Sequence, residues 1–197
     1  MMKKRPQIVV GVTGSIAAYK AAELVRLMKA NGWEVTVVMT ANATRFVGAQ
    51  TFLTLSRNPV GLDMFDEPAC WRPEHIAAAD RADVLVIAPC TANVIAKLAH
   101  GLADDLLSST ALATRAPVII APAMNEKMWD HPATQANVDL LKSRGVTFVD
   151  VGTGDLACGY EGRGRLADVQ DVMAAVEKVL EGTMGRGRAT GEPKKHR

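Results

Sequence analysis

Residue types able to do chemistry fall at a few places in this chain. Residues 152–166 read GTGDLACGYEGRGRL, which sets Cys158 among five glycines and beside Arg163 and Arg165. A free thiol has a pKa of about 8.5, so near neutrality it is mostly protonated and can deliver a proton. Cysteine is commonly a small buried hydrophobe, but a glycine-rich loop is a poor place to build core. His75, in EHI, belongs to the one side-chain type with an unperturbed pKa near neutrality, about 6.5, and can act as a base, although a lone histidine is more often structural. Asn125 closes PAMN; its amide can donate hydrogen bonds to a carboxylate without bringing a full positive charge, or can cap the helix that EKMWD would start.

The elements that must position these residues are legible from periodicity. Short β-branched runs, QIVVGVT, EVTVVMT, ADVLVIAP, APVIIAPAM and VTFVDVG, alternate with longer amphipathic segments, among them AAYKAAELVRLMKANG, VIAKLAHGLADDLLSSTALAT, ATQANVDLLKSRG and VQDVMAAVEKVLEG. Continuous Val/Ile runs mark strands buried on both faces. The pattern predicts an α/β fold, a doubly wound parallel sheet of about five or more strands flanked by helices, Rossmann-like and in a single domain. Between residues 46 and 75, FVGAQTFLTLS reads as helix and DEPACWRPEHI as loop. The domain is expected to span residues 1–181, and the basic segment 182–197, without apolar periodicity, to be a disordered tail.

Ligands of such sheets bind at the carboxyl ends of the strands. Those ends carry TGS at 13–15, TAN at 40–42, PCTAN at 89–93, PAMN at 122–125 and the cysteine-bearing loop, so small, hydroxylated and amide side chains recur at each. Any one such loop could be only a turn or cap; five together point to a shared pocket. GVTGSIAAYK supplies the strand, tight turn and helix start that present N–H groups to a phosphate. It lacks the GxGxxG pattern, and the second strand ends at Thr40 rather than an acid, which disfavours NAD and suits a mononucleotide such as FMN.

Composition bounds the function classes. The chain has 197 residues, 48% of them hydrophobic, and a formal net charge of +2. Its basic excess sits at the two ends, leaving residues 6–185 mildly acidic, and aromatics are only 5%, which argues against nucleic acid as a partner. No apolar run is long enough for a membrane span, and the start of the chain resembles no signal peptide, so a cytoplasmic location is expected. Three cysteines without a CxxC pair fit neither a disulfide framework nor a zinc site, and no metal is expected.

GSIAAYK, EHI ahead of a strand, APCTAN followed by GLADDLL, PAMN and LACGYEGRGRL together resemble, in order and spacing, the homo-oligomeric flavin-containing cysteine decarboxylases, over roughly residues 6–181. The resemblance implies FMN as cofactor and decarboxylation of 4′-phosphopantothenoyl-L-cysteine to 4′-phosphopantetheine in coenzyme A biosynthesis. The route it implies is oxidation to a thioaldehyde, loss of carbon dioxide and re-reduction of the enethiolate. It further implies His75 as base, Asn125 on the substrate carboxylate and Cys158 as proton donor. The family's flavin positions fall on Gly14, Ser15, Ile16, Thr40, Asn42, Thr91, Ala92, Asn93 and Ala123, with Phe46 as a ring neighbour. Asp155, Ala157 and Leu166 fall at the substrate-facing positions of a pliable glycine clamp, where Arg163 or Arg165 could meet the substrate phosphate. Cys90 replaces the family's usual small residue and is expected to be steric filling, while His100 and His131 match no family motif. Assembly as trimers, with dodecamers built from them, is implied, with flavin at the subunit boundary. A peptidyl-cysteine decarboxylase and a non-catalytic flavin-binding regulatory subunit are the alternatives; the chain is either stand-alone or part of a bifunctional protein with a CTP-dependent synthetase.

Overall fold

The computed structural model describes residues 5–65, 74–155 and 161–186. The β-branched runs form β1 (Gln7–Val12), β2 (Glu34–Met39), β4 (Val84–Cys90) and β5 (Val118–Pro122), with two-residue strands β3 (Val60–Gly61) and β6 (Thr147–Phe148) at the edges. Between them lie α1 (Ala18–Ala30), α2 (Ala49–Ser56), α3 (Glu74–Arg81), α4 (Ala92–His100), α5 (Leu106–Ala113), α6 (Glu126–Trp129) and α7 (Pro132–Ser143). The chain continues through a hairpin of β7 (Gly152–Asp155) and β8 (Glu161–Arg165) into α8 (Val169–Arg186). The main sheet has six strands in the order β3-β2-β1-β4-β5-β6, every pairing parallel.

Alternation along the central strands feeds two cores. Ile8, Val10, Val12, Val84 and Val86 face α1 and α8, where Leu24, Met28, Val172 and Val176 are buried. Val9, Leu85, Ile87 and Ile120 face the opposite side, against Val94 and Ile95 of α4, Leu107 of α5 and Leu141 of α7. All seven residues of β4 are buried, as a strand covered on both faces requires.

Several boundaries differ from the sequence expectation. VIAKLAHGLADDLLSSTALAT is two helices: Gly101, at φ +68°, ends α4 in the left-handed region, and Asp105 restarts the chain as the N-cap of α5. That cap is reciprocal, the Asp105 carboxylate accepting from the Ser108 N–H while the Ser108 hydroxyl serves the Asp105 N–H. EHI opens α3 instead of closing a loop, and the rest of that predicted loop, residues 66–73, lies outside the described residues. VTFVDVG yields only the two-residue β6, because an edge strand pairs on one side alone. Within the glycine-rich stretch expected to be a loop, Gly152–Asp155 and Glu161–Arg165 pair as antiparallel strands, and residues 156–160 lie outside the described residues. α8 runs to Arg186, into the segment expected to be tail, and residues 187–197 lie outside the described residues. Among the described residues no helix is long and apolar enough to cross a membrane.

Candidate active site

β1 and β4 are neighbours in the sheet, yet β1 leads into α1 on one face and β4 into α4 on the other. Their carboxyl ends therefore diverge, and a crevice must open there. A cleft of about 460 Å³ occupies this point. Thr13 ties the two strand ends together next to it: the buried hydroxyl donates to the Pro89 carbonyl at 2.8 Å and accepts the Thr91 N–H at 3.0 Å. Sequence reasoning gave Thr13 no role; a hydroxyl at the last position before the turn was the available signal.

One wall is the turn into α1. Gly14, Ser15 and Ile16 all line the cleft. A Cβ on Gly14 would stand 2.5 Å from the Cβ of Asn42, so only glycine lets this turn lie against the end of β2. The Ser15 hydroxyl accepts the Ala17 N–H at 3.3 Å, and the Ser15 N–H is turned back to the Thr13 carbonyl. Among the described residues the Gly14 and Ile16 N–H groups meet no protein acceptor, and α1 has no side-chain N-cap, leaving its positive end toward the cleft. Tyr19 and Lys20, quoted in GSIAAYK but given no role from sequence, also line this wall.

The opposite wall is PAMN and the hairpin arm laid along it. Ala123, Asn125 and Leu166 line the cleft as expected, together with Met124, Met128, Gly164 and Arg165. The Met124 N–H donates to the Gly164 carbonyl at 2.9 Å, and the Arg163 N–H donates to Glu126 Oε1 at 3.0 Å. Gly164, at φ +117°, lies so close that a Cβ would collide with the Met124 carbonyl oxygen. This close approach to PAMN gives the glycine a steric reason in addition to the pliability expected of the clamp. Asn125 caps α6, its Oδ1 accepting the Lys127 N–H at 2.9 Å, while also lining the cleft. The capping reading of this residue therefore holds, and its place on the cleft wall is compatible with the other. Leu166 is mostly buried in the α1-side core and shows only an edge to the cleft.

Thr91 lines the cleft as the N-cap residue of α4, whereas Ala92 and Asn93 sit in the first turn of that helix, off the wall. Thr40, Asn42 and Phe46 likewise stand off it, at the neighbouring end of β2, where Phe46 is exposed. His75 is the second residue of α3, whose connection into β4 directs the start of the helix toward the carboxyl edge of the sheet; its side chain lies outside the description. Ala157 and Cys158 lie outside the described residues, as does the side chain of Asp155 at the end of β7.

Several other chemistry-bearing side chains among the described residues have structural partners. Cys90 is fully buried, and desolvation pushes its thiol far above the ordinary range, so it stays protonated as core. His131 caps α7 by accepting the Ala133 N–H at 3.1 Å, and His100 meets Asn137 at 3.0 Å. Lys97 of α4 pairs with Asp104 at 2.6 Å and Asp105 at 2.8 Å, tying α4 to the start of α5. Burial opposes ionisation of Asp105, but hydrogen bonds from Lys97 and Ser108 outweigh it and hold the carboxyl below the usual range.

The Flavoprotein family model matches residues 1–181. The chain is 46% identical over 177 residues to the coenzyme A biosynthesis bifunctional protein CoaBC of Bacillus subtilis, covering 90% of this chain and 44% of that protein, so it spans about half the length of such relatives. It is 42% identical over 176 residues to a probable phosphopantothenoylcysteine decarboxylase of Streptococcus mutans, covering 88% of this chain and 98% of that one. A solved structure of a Cys-to-Ser mutant of PPC decarboxylase, complexed with pantothenoylaminoethenethiol, superposes with a TM-score of 0.81 at 31% identity, covering 90% of this chain and all of the other. A parallel sheet with a cleft at its switch point, inside a match that spans nearly all the folded chain, places this protein in the Flavoprotein family.

Proposed function

We propose that this chain uses FMN to decarboxylate 4′-phosphopantothenoyl-L-cysteine to 4′-phosphopantetheine, a step of coenzyme A biosynthesis. The observation that carries the reading is a single cleft in which the α1 turn, whose Gly14 and Ile16 N–H groups have no acceptor among the described residues, faces Asn125 and the β8 arm across one space. The names of the relatives point the same way.

The residues present fit a flavin mononucleotide. One phosphate suits the Gly14–Ile16 turn at the positive end of a 13-residue helix, and the apolar rim of Ile16, Tyr19 and Met128 suits a flat ring. In this reading Ala123 and Thr91 contact the flavin within the cleft, and Thr40, Asn42, Phe46, Ala92 and Asn93 border it along adjoining strand ends. Bound flavin supplies a two-electron acceptor that makes the thiol-bearing carbon an electron sink for decarboxylation and then returns the electrons.

The chain's own part is proton handling and orientation. The neutral His75 imidazole takes the proton released as the substrate's thiol side is oxidised. Asn125 holds the carboxylate by hydrogen bonding; a cation in its place would stabilise the ground-state anion and resist loss of carbon dioxide. Cys158, protonated at neutral pH, returns a proton to carbon as the enethiolate is reduced. In this reading Asp155, Ala157 and the edge of Leu166 at the cleft are the positions that contact the substrate. Ile16 and Tyr19 are about 60% exposed at the cleft rim, an apolar edge suited to closure by a second copy in a trimer-based homo-oligomer.

Mass spectrometry of the reaction tests the proposal. FMN-loaded protein should convert the phosphorylated substrate to a product lighter by one carbon dioxide. Unchanged substrate, alongside decarboxylation of peptides ending in cysteine, would replace this reading with the peptidyl one.

A further inference from the structure

The sequence offers two arginines on the hairpin, and the structure separates them. Arg165 lines the cleft and Arg163 does not. Both residues are exposed, but the backbone of Arg163 is held by the Glu126 carboxylate at 3.0 Å, away from the lining of the cleft. Arg165 has a prepared seat. Its guanidinium lies over Gly154 on the paired strand, so that a Cβ there would collide with Nη1 and stand 3.5 Å from Cδ and Cζ. Gly154 adopts φ +140°, a conformation that side chains rarely accept, so the hairpin is shaped where the guanidinium rests. Among the described side chains, which do not include those of Asp155 and Glu161, no carboxylate pairs with Arg165.

Charge then indicates the ligand group. Among the described lining residues the charged ones are Lys20 and Arg165, both cationic. Lys20 belongs to α1, on the wall of the phosphate-binding turn, while Arg165 stands on the opposite wall, beside PAMN. A carboxylate that must leave as carbon dioxide is poorly served by a full cation, which would stabilise it in the ground state. A phosphate monoester at the far end of a substrate is well served, because the planar guanidinium fork matches its oxygens and the binding energy orients the distant reacting end. We infer that Arg165, seated on Gly154, binds the terminal phosphate of the substrate and sets the preference for phosphorylated over dephosphorylated substrate. This inference rests on the decarboxylase reading above.

Arg165→Gln, Gly154→Ala and Arg163→Gln, all FMN-loaded, are compared on 4′-phosphopantothenoylcysteine and pantothenoylcysteine. Arg165→Gln should lower kcat/KM for the phosphorylated substrate about 10- to 100-fold, the range of a lost charge-assisted hydrogen bond, and leave the dephosphorylated one within about twofold. Gly154→Ala should shift the preference in the same direction, and Arg163→Gln should keep it. Equal losses on both substrates in Arg165→Gln, or loss of preference in Arg163→Gln instead, would overturn the inference. Calorimetry with 4′-phosphopantetheine and pantetheine reads the same discrimination by binding alone. Wild-type protein that turns over neither substrate would end the decarboxylase reading only; wild-type binding without discrimination, or discrimination kept by Arg165→Gln, would end this one.

Discussion

At the scale of single residues, the cleft depends on close approach and on side chains that carry two duties at once. Asn125 is both a helix cap and a cleft residue, and one substitution separates the two duties. Aspartate caps as well as asparagine, so Asn125→Asp should leave the urea midpoint nearly unchanged. It also sets an anion where the substrate carboxylate is proposed to sit, so kcat/KM should fall at least about 100-fold. Normal turnover in that variant would confine Asn125 to capping. Gly164→Ala would push a Cβ against the Met124 carbonyl at a left-handed φ, which costs about 1–3 kcal/mol or moves the β8 arm. A raised KM with unchanged flavin affinity is the expected result, measured by steady-state kinetics and flavin fluorescence titration. Residue types at strand ends made Gly14, Ser15, Thr91, Ala123 and Asn125 legible in the sequence, because turn chemistry is local. Thr13, Tyr19, Lys20 and Met128 were not, because their importance comes from which walls face each other across the cleft.

At the scale of elements, long β-branched runs announced the four central strands, since burial on both faces leaves a continuous apolar signature. The two-residue edge strands carried too few residues for any periodicity, and the hairpin was hidden by glycines whose spacing answers to contact with PAMN. The split between α4 and α5 was written in GLADD but read through, because both helices are apolar enough to join into one run. That junction carries a test. Asp105 caps α5 and pairs with Lys97, so Asp105→Ala should cost about 1 kcal/mol of stability at pH 7. Because the folded carboxyl titrates below its unfolded value of about 3.9, its ionised contacts add stability above that pH and lose it as the pH falls through the folded value. The difference in urea midpoint between wild type and Asp105→Ala should therefore shrink on acidification below about pH 4; a difference that grows there would contradict the assigned ionisation.

At the scale of the whole molecule, the strand order fixes where a ligand can bind, and the fold was the most legible feature because it follows from the alternation of strands and helices. Assembly was not legible in the same way, since an apolar cleft rim can be covered by a ligand, a partner or both. Light scattering on FMN-loaded protein should give a mass that is a multiple of three chains, and a monomer that still turns over substrate would remove the partner from the proposed site. The central claim is that flavin, Asn125 and Cys158 serve one substrate in one cleft. The most direct measurement follows the flavin's visible absorbance and the products when the Cys158→Ser variant meets 4′-phosphopantothenoylcysteine. The account predicts bleaching of the flavin and release of carbon dioxide without formation of 4′-phosphopantetheine; normal turnover by that variant, or no bleaching while the wild type remains active, would contradict it.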